Sequence, residues 1–211
     1  MLQGPVYVRR LKRGTRVSPE RRVLIIGVGN VLMRDEGVGP RVVAELGDRY
    51  EFPADVEVMD AGTMGLGMMH LFRDVEYMLI IDAIDGTGHP AGTVVQISPE
   101  DFAPNQVLHS LHDIRLVDVL NAAKLIEAEP KLTDCVGIQI EDISPEAFSI
   151  GLTDSVETAV PRATAAALTL LEENGIEATE LPAETENDEA VLATVRSVRD
   201  DMRAKRSGAQ G

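Results

Sequence analysis

The chain reads as a single α/β domain in three layers, a mostly parallel, twisted five-stranded sheet with helices on both faces. Three observations predict this. Apolar runs at Val23–Val28 (VLIIGV) and Tyr77–Asp82 (YMLIID) have the length and composition of strands buried on both faces. Segments with helical apolar spacing alternate with such runs, as happens when strands are wound through a parallel sheet. The 211 residues, 44% of them hydrophobic, are enough for one core of this kind.

Each element has its own signal. Val23–Val28 is the first strand. After a loop, the apolar pattern from Val38 to Leu46 carries Pro40 in its first turn, where proline is favourable, and predicts the first helix. Val56–Asp60 is the second strand, Ala61–Gly65 (AGTMG) a tight turn, and Leu66–Phe72 a short helix. Tyr77–Asp82 is the third strand and Thr93–Ile97 the fourth, followed by a loop over 98–108. Ser110 to Glu129 reads as a long helix, with Ser110 and Asp113 spaced as a capping box. Asp134–Ile140 is the fifth strand. Ser155–Asn174 is the last core helix, in which Pro161 should cause a kink or a restart. The result is a Rossmann- or phosphorylase-like domain over residues 22–178. Residues 1–21 read as a basic, flexible arm, and 179–211 as an acidic linker followed by a segment whose Val191, Leu192, Val195, Val198 and Met202 would share one helical face.

Composition removes several functions. The formal net charge is −15, and seven Arg or Lys within residues 1–22 face a single acid there, Glu20, so the body of the chain is more acidic still. Such a body repels phosphate backbones, and with 3% aromatics and no Trp there is little to stack on bases; nucleic acid is not an expected partner. Arg9-Arg10 lacks the apolar stretch of an export signal, and no window of 18 apolar residues predicts a membrane span. A lone Cys135 excludes a disulfide framework and fits a reducing cytoplasm.

Wound sheets of this type bind ligands at the carboxyl ends of their strands. Asn30, Asp35 and Glu36 follow the first strand, Asp60 ends the second, Asp82 ends the third with Asp85 close behind, and His112 opens the long helix. In the usual winding the third strand lies beside the first, which brings Asp82 near Asp35 and Glu36. Carboxylates gathered with an imidazole and no cationic partner are most simply explained by a bound divalent cation. Each residue has a plainer reading as well. Asp35 and Glu36 suit the first turn of a helix, Asp82 a turn or cap, and His112 a first helical turn. His70 reads as packing and His89 as an exposed turn residue; His109 adds a further candidate. Cys135 and the Met64, Met68 and Met69 group read as core. A dinucleotide fingerprint fails: Gly27 and Gly29 are present, but Leu32 stands where the third glycine belongs, and acids occupy the helix start where a pyrophosphate would sit.

The stretch Gly27–Gly39 (GVGNVLMRDEGVG), the block Asp60–Gly65 (DAGTMG), Ile80–Ala83 (IIDA), the Ser110-Leu111-His112 triplet, Val136–Ile140 and Gly151-Leu152 together resemble the hydrogenase maturation endopeptidases, in order, over residues 23–175. The resemblance implies a peptidase that removes a C-terminal extension from a nickel-iron hydrogenase large-subunit precursor after nickel insertion. It implies metal ligation by Glu36, Asp82 and His112, with the nickel presented by the substrate and with zinc or cadmium able to occupy the site in vitro. Substrate choice is assigned to the Ala61–Gly65 loop, in particular Gly62, Thr63 and Met64. The family position after the histidine is commonly Gln, and here it is Asp113.

Two mechanisms follow as expectations. In one, the metal fixes the scissile peptide and polarises its carbonyl or activates water, with Asp35 as general base or as a group behind the ligands. In the other, an aspartic-type reaction uses Asp35 or Asp82, two carboxylates sharing a proton. A non-enzymatic alternative is a nickel-checking chaperone that uses the same ligands without cleavage. The expected molecule is a cytoplasmic monomer.

Overall fold

A computed structural model describes residues 22–97, 116–143 and 148–182. Strand β1 (Val23–Val28) leads through a 3-10 turn at Arg34–Gly37 into helix α1 (Val38–Arg49) and a two-residue strand β2 (Tyr50–Glu51). Strand β3 (Val56–Gly62), a 3-10 helix (Gly65–Leu71), strands β4 (Tyr77–Ile84) and β5 (Val94–Ile97), helix α2 (Leu116–Leu125) and strand β6 (Leu132–Gln139) follow. Helices α3 (Asp154–Glu157) and α4 (Val160–Glu173) and a short strand β7 (Thr179–Glu180) complete the described chain.

The sheet order is β3-β1-β4-β6-β5. The first four strands are parallel, and β5 runs antiparallel along β6 at the edge. All six residues of β1 and all eight of β4 are buried, which is why both segments, Asp82 apart, are apolar without alternation. Alternate β1 and β4 residues feed opposite layers. Val23, Ile25, Leu79 and Ile81 join α1 and α4 through Val42, Leu46, Ala163 and Leu171. Leu24, Ile26, Met78 and Ile80 meet Met68, Phe72, Val119 and Ala123 on the other face.

Several boundaries differ from the sequence reading. β3 continues through Ala61 and Gly62, with a register shift opposite Gly27 and Val28, because the Gly62 carbonyl accepts a 3.1 Å bond from the Gly29 amide. The 65–71 segment winds as a 3-10 helix, consistent with the glycines at 65 and 67. Pro161 stands in the first turn of a separate helix, α4, so the restart and not the kink is realised. Thr179 and Glu180 pair antiparallel with Tyr50 and Glu51, and an Arg49–Glu180 ion pair at 2.8 Å lies alongside. Ser110 and the remainder of the expected helix start lie outside the described residues. Among the described residues no helix is long and apolar enough to cross a membrane.

Candidate active site

From β1 the chain passes to β3 on one side and later returns to β4 on the other. The carboxyl ends of β1 and β4 therefore flank a topological switch, where a crevice opens. The loop leaving β1 is closed on itself: the Asn30 amide donates to the Glu36 carbonyl at 3.2 Å and the Met33 amide to the Asn30 carbonyl at 2.9 Å, while Asn30 Oδ1 accepts from the Leu32 amide at 3.1 Å. Arg34 then adopts a positive φ of 52°, and its amide donates to the Ser149 carbonyl at 2.8 Å. That bend turns Asp35 and Glu36 inward, and both are buried.

The glycines around them permit this approach. A Cβ on Gly29, whose φ is +146°, would lie 1.8 Å from the Glu36 carbonyl oxygen; one on Gly39 would lie 2.2 Å from the Val28 carbonyl oxygen and 2.5 Å from that of Ile81. The start of α1 thus sits directly on the ends of β1 and β4.

The two adjacent acids have different surroundings. Asp35 is fully buried and saturated. Its Oδ2 accepts from the amides of Glu141 and Asp142 and from Thr153 Oγ1, each at 3.0 Å, and its Oδ1 accepts from the Thr153 amide at 2.7 Å. Three donors on Oδ2 and one on Oδ1 hold the carboxylate in place inside the fold. Asp82, at the carboxyl end of β4, is also buried, but nothing among the described residues donates to its Oδ1. Burial pushes its carboxyl up to about 8, the Ala83 amide partly opposes this, and the nearby Glu36 charge adds to it. Glu36 and Asp82 are therefore brought together, as the strand order required. An orphaned carboxylate oxygen beside a second buried acid is a donor set that fits a divalent cation. Among the described residues no third His, Cys, Asp or Glu completes a metal group; His112, His109 and Asp113 lie outside them.

Other expected site residues fall nearby. Asp60 Oδ1 accepts from the Gly62 amide at 2.7 Å, shaping the turn into Thr63 and Met64. Met64 is 41% exposed, whereas Met68 is core, so the methionine group divides between surface and interior. His70 is exposed, with its ring nitrogen on the Gly67 carbonyl of its own turn, and does not pack as expected; His89 is exposed. Cys135 is buried, and burial, then the Asp82 and Asp134 charges, hold its thiol well above its ordinary range, consistent with core.

Two residues of the site were missed by the sequence reading. Thr153 holds Asp35 from 118 positions away. Gln139, at the end of β6, accepts from the Thr87 amide and hydroxyl at 3.1 and 2.6 Å and donates to Asp85 Oδ1 at 3.0 Å, fixing the loop that follows Asp82. Thr153 directly follows the Gly151-Leu152 pair that the sequence reading matched to the family pattern, without being given a role. No local motif marks Gln139, whose signal is its position at a strand end on the ligand-binding edge. Exposed apolar side chains are present at the same edge: Val31 and Leu32 after β1, and Phe148 and Ile150 either side of Ser149, whose amide donates to the Leu32 carbonyl at 2.9 Å.

Comparison with known proteins gives a consistent result. The model of a family described as hydrogenase maturation protease matches residues 40–170. The hydrogenase 2 maturation protease of Escherichia coli is 35% identical over 170 residues, covering 79% of this chain and 99% of that protein. The solved structure of the hydrogenase maturating endopeptidase HybD from E. coli superposes with a TM-score of 0.67 at 35% identity, covering 75% of this chain and 97% of that one. A [NiFe] hydrogenase maturation protease from Thermococcus kodakarensis superposes with a TM-score of 0.58 at 26% identity, covering 71% and 98%.

Proposed function

The chain belongs to the hydrogenase maturation protease family, and from that premise we infer that it is an endopeptidase removing the C-terminal extension of a nickel-iron hydrogenase large-subunit precursor. The observation that carries the site assignment is the buried Glu36–Asp82 pair at the β1/β4 switch, with an Asp82 oxygen that no described residue satisfies. Glu36, Asp82 and His112 are the proposed ligands, and the nickel they receive is part of the substrate, carried by the precursor. That ion, when bound, would hold the scissile peptide in register and polarise its carbonyl.

The remaining work falls to this chain's own residues. Glu36 and Asp82 would supply the oxygen donors, both held by a buried backbone, with Asp82 releasing its proton as the ion binds. Asp35 keeps the Glu36 turn in place; its four donors argue against a role as general base. If the reaction is of the aspartic type, the carboxylates that share a proton are Asp82 and Glu36, since the raised Asp82 carboxyl retains a proton that a neighbouring carboxylate can accept. The Gly62–Met64 turn and the apolar residues Val31, Leu32, Phe148 and Ile150 offer an extended peptide both backbone and side-chain contacts beside the acids. We place the reaction in the cytoplasm, with the chain acting as a monomer, and residues 22–178 as its working domain.

The test is incubation with a nickel-loaded, unprocessed large subunit, read by intact mass. Loss of a C-terminal peptide by the wild type, absent with nickel-free precursor and with Glu36→Gln or His112→Leu, is the expected result. A stable complex with unchanged mass would replace the peptidase with a nickel-checking chaperone. Cleavage by both variants at the wild-type rate would remove the metal assignment.

A further inference from the structure

Thr153 occupies the N-cap position of α3, where a threonine ordinarily turns its hydroxyl onto the amides of its own helix. Here it makes no side-chain cap bond. The first amides of α3 are served by the Thr153 carbonyl instead, which accepts from Val156 at 3.1 Å and Glu157 at 2.8 Å. The hydroxyl is directed to Asp35 Oδ2 at 3.0 Å, and the Thr153 amide to Asp35 Oδ1 at 2.7 Å. With the usual cap bond unmade, the charge-assisted interaction with Asp35 is the stronger determinant at this position.

Asp35 immediately precedes Glu36 in a 3-10 turn, and its other donors come from the loop after β6. The Asp35 amide donates in return to the Asp142 carbonyl at 3.2 Å. One fully buried carboxylate therefore joins the turn that carries Glu36, the end of β6 and the start of α3. Asp35 immediately precedes the proposed ligand in the chain; Thr153 grips it from 118 positions further along.

We propose that Thr153 is a positioning residue for the proteolytic site, fixing through Asp35 the direction in which Glu36 faces Asp82. This rests on the assignment of Glu36 and Asp82 as ligands. Removing the hydroxyl leaves Asp35 with three donors and loosens the turn, so the separation of the two acids is less closely set. Groups that orient metal ligands from behind typically alter ion affinity by about 10- to 100-fold.

The experiment uses the full chain and cadmium ion alone, titrated calorimetrically into wild type, Thr153→Val, Thr153→Ser and Glu36→Gln, each checked by circular dichroism and thermal unfolding. Thr153→Val keeps the shape and the amide, and Thr153→Ser keeps the hydroxyl. The expected result is binding weakened at least tenfold in Thr153→Val, restored in Thr153→Ser and abolished in Glu36→Gln, with the same order in precursor processing. If Thr153→Val does not fold, Thr153→Ala takes its place against Thr153→Ser. Wild-type binding in Thr153→Val or Thr153→Ala, with loss in Glu36→Gln, overturns the positioning role and leaves the metal site standing. Undiminished binding in Glu36→Gln, or none in the wild type, overturns the metal reading and the positioning role with it.

Discussion

Burial, reinforced by the Glu36 charge, pushes the Asp82 carboxyl up to about 8, against 3.8 for an ordinary aspartate. Between those values the folded, ion-free protein keeps a proton that the unfolded chain has released. Raising the pH therefore favours unfolding, by up to about 1.4 kcal/mol per pH unit. The stability this residue contributes is complete below the ordinary aspartate value and lost as the pH approaches 8. Asp82→Asn removes the titration while keeping the shape. The variant should gain stability relative to wild type as the pH is raised from 5 to 8, by a few kcal/mol at pH 8, and should lose processing altogether. Denaturant unfolding of both proteins across that range checks this, and parallel pH dependences would contradict it. At Asp35, next to Glu36 in the chain, the same kind of replacement should destabilise. Asp35→Asn replaces an acceptor of four hydrogen bonds with a group that can accept at only one of its two positions, and should destabilise by about 2–4 kcal/mol at pH 7 in the same unfolding measurement. A loss below about 0.5 kcal/mol would show that these bonds contribute little.

The element that sets the site is the junction of α1 with the sheet. α1 begins against the carbonyl ends of β1 and β4, and the close approach at Gly39 brings the preceding turn, with Glu36, onto the crevice. Gly39→Ala would place a methyl about where the Val28 and Ile81 carbonyl oxygens already lie. The helix would have to lift, at a cost of about 1–3 kcal/mol or more, and Glu36 would move with it. Gly47, in the same helix, has open space around it; Gly47→Ala should stabilise by about 0.5–1 kcal/mol through backbone entropy alone. Measured together, the pair separates helix propensity from contact with the sheet: processing should fail in Gly39→Ala and persist in Gly47→Ala. Equal activity in the two would show that the junction does not control the site.

At the scale of the whole molecule, the parts legible in the sequence were those whose residues face one kind of surroundings. β1 and β4 are buried on both sides, so Val23–Val28 and Tyr77–Ile81 are apolar throughout, and their adjacency follows from the winding of a parallel sheet. On that basis Asp82 could be placed near the Asp35-Glu36 pair. Asp35 could not be distinguished from Glu36, because two acids in one turn look alike until their donors, 106 to 118 positions away, are known. The β2–β7 ribbon escaped notice for a related reason: two residues on each side, largely exposed and flanked by the Arg49–Glu180 ion pair, carry no hydrophobic pattern. That ribbon bears on where the working domain stops. Every buried apolar residue among those described lies between Val23 and Ile176, and the described residues up to Leu181 belong to one compact unit. A fragment of residues 22–182, which keeps both layers and the ribbon, should therefore unfold in a single cooperative transition and process nickel-loaded precursor at a rate within about threefold of the full chain. One ending at residue 178 loses only a short, exposed pairing and an ion pair of about 0–1 kcal/mol, so it should fold with slightly lower stability. A broad, non-cooperative transition in the 22–182 fragment, followed by circular dichroism, would mean that residues beyond it contribute to the core.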